Sequence, residues 1–141
     1  MSQLPKRLQE IVEDFSICVG QEKLEYLLDF AESLPPLPER FADRRDEMDE
    51  VHECITPVFI FPEQKDGKLF YHFDIPPEGP TVRGYASLLQ EGLGWTTPEA
   101  VLAIPDTFYL EMGLQKVLTG QRLNGIAAML AHMKNLARAA Q

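Results

Sequence analysis

MDEVHECITPVFIFPE, residues 48–63, places one cysteine, Cys54, between an acidic run and an apolar segment. The acidic run (Asp43, Asp46, Glu47, Asp49, Glu50) is too charged to bury, so it is expected to be exposed and mobile. The segment Val58-Phe59-Ile60-Phe61 is β-branched and aromatic and predicts a core strand. Pro57 has no N–H for a ladder, so the chain turns where that strand begins. A cysteine at such a junction stands on a loop held by a rigid element, where reactive groups are often found. Most lone cysteines are inert core fillers. Here the neighbours His52, Glu53 and Thr56 are polar or charged, which favours exposure, and none has metal-ligand spacing.

Working outward, 57–62 and 68–74 read as two strands, joined by Gln64-Lys65-Asp66-Gly67 with its Asp-Gly hairpin signal. The second strand alternates Leu69, Tyr71 and Phe73 with Phe70, His72 and Asp74, which puts His72 toward solvent. Upstream, Leu4, Leu8, Ile11, Val12 and Phe15 have helical spacing, and Gly20 marks a turn. A second amphipathic helix over 21–33 carries Leu24, Leu27, Leu28 and Ala31 and ends at Leu34-Pro35-Pro36-Leu37-Pro38. Cys18, between these helices among apolar neighbours, reads as structural. A long connection over 38–56 holds at most a short helical turn near Glu39–Asp43. Downstream, 81–91 is a helix ended by Gly92 and Gly94. Thr97 caps a short helix with Pro98 in its first turn, Pro105 opens another to about Met112, and Thr119 caps the last, to about Arg138. The last helix is expected to bury Leu123, Ile126, Ala127, Leu130 and Met133.

Composition narrows the class. A chain of 141 residues, 45% hydrophobic and with no second boundary, is expected to form a single domain over 1–141. No apolar run reaches the length of a membrane span, and MSQLPKRLQE lacks the apolar core of a signal peptide, so a cytoplasmic location is expected. Two cysteines are too few for a disulfide framework. Net charge is −9, of which residues 1–50 carry −7. Nucleic-acid binding needs a basic footprint and is not expected.

Five pieces in order resemble one family, the SufE-like sulfur acceptors of cysteine desulfurases. Val51-x-x-Cys54-x-Thr56-x-Val58 followed by an aromatic is similar to the family's active-site segment, usually V-x-G-C-Q-S-x-V-W. Leu34-Pro35-Pro36-Leu37-Pro38-Glu39-Arg40 resembles its Pro-rich link, and Val82-Arg83-Gly84 its helix-opening V-[KR]-G. Thr97-Pro98-Glu99 and Leu118-Thr119-x-x-Arg122-x-Asn124-Gly125-Ile126-x-x-Met129 resemble its C-terminal half. Glu53, Ile55 and Phe59 stand where the family usually has Gly, Gln and Trp. Pro76-Pro77-Glu78-Gly79-Pro80 replaces its acidic D-S-D-A segment.

The resemblance implies an α+β fold of SufE/NifU-like type. A small antiparallel sheet of about three strands packs against helices, with the reactive cysteine on a loop at one end. Two strands are evident, and the third is sought around Ile75 or within 44–52. The implied function is a carrier and desulfurase activator rather than an enzyme with its own small-molecule turnover. Cys54 takes persulfide sulfur from a SufS-like cysteine desulfurase and passes it to a SufBCD-like iron–sulfur scaffold. Pyridoxal phosphate belongs to that partner, and neither cofactor nor metal is expected on this chain, taken as a monomer or weak dimer. Glu53, Thr56, Arg122 and Glu78 form the expected loop and partner environment. The rival reading keeps the fold as a non-catalytic module regulating a desulfurase or another partner. A thiol hydrolase would need a histidine beside Cys54 and an acid such as Asp74, and a metal site would need clustered ligands.

Overall fold

A computed structural model of the chain describes residues 4–141. Met1 to Gln3, part of the N-terminal stretch read above for a signal peptide and of the expected 1–141 domain, lie outside the described residues. The elements are α1 (Lys6–Ile17), α2 (Gln21–Ser33), β1 (Asp49–Glu50), β2 (Phe59–Lys65), β3 (Lys68–Asp74), α3 (Pro80–Leu93), α4 (Pro98–Leu102), α5 (Phe108–Glu111) and α6 (Gly120–Ala139). Short 3₁₀ turns occupy Glu39–Phe41, Arg45–Glu47 and Leu114–Lys116. The fold is α+β, with a three-stranded antiparallel sheet in the order β1-β2-β3.

The hairpin forms where the Asp-Gly signal sits. Asp66 and Gly67 both have positive φ, 53° and 77°, and Lys65 pairs with Lys68. Two left-handed residues in succession match the twist of the flanking strands, and Asp and Gly tolerate that conformation best. β2 runs past the expected 57–62 to Lys65 and contains Pro62. β1 pairs only with Phe59 and Ile60, so β2 is an open edge at Pro62 and the missing N–H breaks no ladder bond. The third strand is thus β1, inside the 44–52 stretch, and Ile75 follows β3 instead of forming a strand.

α3 is the hub. Thr81, Val82, Tyr85, Leu88, Leu89 and Leu93 are buried around most of its circumference, so it lies inside the molecule rather than on its surface. It packs against α1, α2, β3 and α6. At Gly84 a Cβ would stand 2.3 Å from the Leu27 carbonyl oxygen, so the backbones of α2 and α3 approach as only glycine permits. Ile60, Leu69, Tyr71 and Phe73 fill the core from the sheet, and Tyr71 donates its hydroxyl to the Met133 carbonyl at 2.8 Å. Thr97 and Thr119 cap α4 and α6 as expected, accepting from the N–H groups of Ala100 and Arg122.

Four expectations change. His72 does not face solvent; it is buried, with its ring 4.8 Å from Phe41 and 4.9 Å from Phe70. Strand alternation assumes one wet face, but the turn at Glu39–Phe41 covers part of the outer face of this sheet. The acidic run is not loose either. Met48 is buried, Asp49 and Glu50 form β1, Arg44 pairs with Glu47, and Arg45 pairs with Asp74. The helix expected from Pro105 to Met112 shrinks to Phe108–Glu111. On α6, Ile126, Leu130 and Met133 are buried as expected; Leu123 and Ala127 are half-buried, while Met129 is fully inside.

Candidate functional site

The chain between β1 and β2 closes on an apolar base. Val51 and Val58 are both buried, and the Val51 N–H donates to the Val58 carbonyl at 2.9 Å. Cys54 sits in the turns between them, with its N–H 3.4 Å from the Val51 carbonyl. The loop lies against one face of α6. Arg122, Gly125, Met129 and His132 share that face, because steps of three, four and three residues return to the same side of a helix.

Cys54 points inward and is half-buried. Its thiol donates to the Gly125 carbonyl, with Sγ 3.3 Å from the oxygen. A Cβ at position 125 would stand 3.1 Å from Sγ, so Gly125 makes room for the sulfur. Burial, and then the Glu53 carboxylate, push the thiol pKa up to about 11. At neutral pH the resting group is therefore the thiol, not the thiolate. Asn124-Gly125, an unfavourable pair in a helix, is explained by this approach of the cysteine.

A cavity of about 210 Å³ opens beside the sulfur. Thr56, Glu78, Val82, Arg122 and the exposed Ile55 line it with Cys54. Thr56 packs on Gly79, where a Cβ would stand 2.6 Å from its methyl carbon. Arg122 donates from Nη1 to the Thr81 hydroxyl at 3.1 Å, which holds its guanidinium at the cavity wall. Of the residues named from sequence, Cys54, Thr56, Glu78 and Arg122 thus come together. Glu53 does not line the cavity; its carboxylate is 2.9 Å from His132 Nε2, while His132 Nδ1 is 2.6 Å from Asp49 Oδ2.

Burial disfavours the charged form of His132, but the two carboxylates together outweigh it and its pKa is raised. Glu53 is held below the usual carboxylate range by its own backbone N–H and then by His132. Sequence reasoning did not place His132 at the site. The signal available was its spacing, two helical turns beyond Gly125.

The imidazoles are engaged away from the sulfur. His52 Nδ1 is 3.6 Å from Glu50, His72 Nε2 is 2.8 Å from Glu63, and His132 holds Asp49 and Glu53. Asp74 pairs with Arg45. A cysteine–histidine–acid constellation for hydrolysis is not assembled around Cys54. No group of three or more His, Cys, Asp or Glu among the described residues is placed to hold a metal ion. No described helix is long and apolar enough to cross a membrane.

Comparison with known proteins gives the family and the fold. Residues 9–137 match the model of the SufE family, described as an Fe-S metabolism associated domain. An uncharacterized SufE-like protein of Mycobacterium tuberculosis is 42% identical over 138 residues, covering 97% of this chain and 95% of that one. A cysteine desulfuration protein SufE of Plasmodium vivax is 28% identical over 102 residues, 71% of this chain and 39% of that one. The solution structure of a hypothetical protein from Thermus thermophilus superposes with a TM-score of 0.84 at 36% identity, covering 97% of each chain.

Proposed function

The chain belongs to the SufE family of Fe-S metabolism associated domains, and from that premise we propose that Cys54 accepts sulfur from a cysteine desulfurase and delivers it to an iron–sulfur scaffold. The Cys54 thiolate attacks the outer sulfur of a persulfide on the partner's cysteine. The partner's S–S bond breaks, its cysteine departs as a thiolate, and the proton given up by Cys54 ends on that leaving group. One persulfide and one thiol become one thiol and one persulfide, so the step is redox-neutral and needs no resolving cysteine. The Plasmodium relative is named for cysteine desulfuration, which agrees with this partner class. In this reading the pyridoxal phosphate stays with the desulfurase.

The observation that carries the reading is the space beside the sulfur of an otherwise quiet thiol. The cavity beside Sγ, about 210 Å³, leaves room for a second sulfur on Cys54. A carrier needs a thiol that is reactive on its partner and sheltered between partners. Burial and Glu53 keep Cys54 protonated at rest; a basic partner site would offset the Glu53 charge and favour the thiolate. Thr56, Glu78 and Arg122 form the rim through which the sulfur enters and leaves.

The test is mass spectrometry after incubation with a pyridoxal-phosphate cysteine desulfurase and cysteine. One added sulfur, about 32 Da, is expected on Cys54. It should vanish in Cys54→Ser and persist in Cys18→Ser. A second reading, a non-catalytic regulator, is favoured by the raised thiol pKa. It wins if desulfurase stimulation survives Cys54→Ser undiminished and no sulfur is added.

A further inference from the structure

Two carboxylates on the N-terminal side of Cys54 are tied to one imidazole. Asp49 lies on β1, before the loop, and Glu53 immediately precedes the cysteine. His132 on α6 meets the first at Nδ1, 2.6 Å away, and the second at Nε2, 2.9 Å away. An ionised carboxylate only accepts hydrogen bonds. A neutral imidazole has one N–H, so it satisfies one of these carboxylates and turns a lone pair on the other. Only the imidazolium donates to both. We propose that His132 is a positioning residue for Cys54: its imidazolium clamps the loop against α6 with the sulfur under Gly125, and loss of the ring proton releases the loop so that the thiol can leave its cavity.

The charged groups around the ring support this assignment. Asp49 faces it from β1 and Glu53 from the loop. His52 acts on Glu53 and favours its ionised form. On α6 itself, Lys134 is taken by Asp106 at 2.8 Å and Arg138 by Asn135 at 2.7 Å. The ring is raised from 6.5, so the clamp is complete below that value and is lost as pH climbs through the raised one. Glu53 is lowered from 4.5, so its half of the clamp is present above that value and is lost as pH falls below it. The closed state is therefore strongest between the two reference values, 4.5 and 6.5, and weakens as pH climbs through the raised value of the ring. This gives the proposed sulfur acceptor a resting, shielded state, but the clamp is a property of the isolated chain.

Site-resolved alkylation of the intact protein by iodoacetamide, between roughly pH 5 and pH 8, reads the clamp directly. Cys18 serves as an internal reference. At about pH 6 the Cys54 rate in His132→Gln should exceed wild type about fivefold, the factor that corresponds to loss of roughly 1 kcal/mol. The two should converge toward the alkaline end. Asp49→Asn, which removes the bond on the other nitrogen, should act in the same direction. His132→Arg keeps a permanent cation, so its Cys54 rate should rise with pH only as the thiolate fraction does, without the extra acceleration that release of the loop gives wild type. Equal Cys54 rates in wild type and His132→Gln at every pH would overturn the clamp, as would equal acceleration of Cys18 and Cys54. Failure of persulfide transfer with the alkylation profile intact would instead remove the sulfur-acceptor reading and leave the clamp standing.

Discussion

Two thiols, 36 positions apart, sit in opposite kinds of surroundings. Cys54 is enclosed by two elements, with its sulfur on the Gly125 carbonyl, a cavity beside it and a carboxylate next to it. Cys18 ends α1 on the surface, where its neighbours Ile17 and Val19 are 77% and 76% exposed. It borders a shallow depression rimmed by Asp14, Glu22, Glu25 and Asp29. Both cysteines are partly buried, so burial alone does not separate them. What separates them is an opposing wall. Cys54 has α6 across from it, and Cys18 shares an open depression with residues of α1 and α2. A thiol can be shielded and released only where a second element closes over it.

The largest effect expected from this difference is in the pH dependence of Cys54. With its pKa at about 11 while the loop is closed, alkylation of Cys54 in His132→Arg, where the clamp is permanent, should climb about tenfold per pH unit from 8 to 10 and level off near 11. A plateau already reached at pH 8 would mean that the wall does not desolvate the sulfur. The same shift has a consequence for stability. The folded pKa lies above the reference value of 9.0, so the fold favours the neutral thiol. That contribution is present below pH 9 and is lost as pH rises toward 11, and denaturation at stepped pH should show stability falling in that window but not in Cys54→Ala.

A smaller effect tests the wall itself. Gly125→Ala gains helix propensity, about 1 kcal/mol, but places a carbon 3.1 Å from Sγ. In a double-mutant cycle by urea denaturation, the substitution should stabilise a Cys54→Ala background by about 1 kcal/mol and wild type by clearly less. Equal gains in both backgrounds would show that the helix does not press on the cysteine. The smallest effect belongs to the other thiol. Ile17→Ser or Val19→Ser should change stability by less than about 0.5 kcal/mol, because neither side chain loses burial. A larger loss would show that the α1–α2 corner is packed like the cysteine loop.

Much of this architecture was legible because its signals are local. Thr97 and Thr119 cap where their hydroxyls were expected to, the Asp-Gly turn sits where it was read, and the first two helices match to within about two residues. The expectation for His72 failed because nothing in its own strand announces that the segment around Phe41 folds over it. The acidic run misled for a related reason. Charge density predicts solvent exposure, but Arg44 and Arg45 neutralise part of it, and Met48 and Val51 anchor it from inside. The pairing of Glu53 and Asp49 with His132 spans 79 and 83 positions, beyond the reach of any periodicity.

The sequence by itself determined the main helices and the β-hairpin, the turn that joins its strands, and that Cys54 stands at a loop beside a core strand. Those properties depend on backbone preferences and on apolar spacing within a few residues. Only the tertiary structure decided that this sulfur points inward, which glycine makes room for it, and which histidine holds its loop. These are distances between α6 and a segment roughly seventy to eighty residues earlier in the chain, fixed when both pack onto the common core and α3 fills the space between the helices and the sheet.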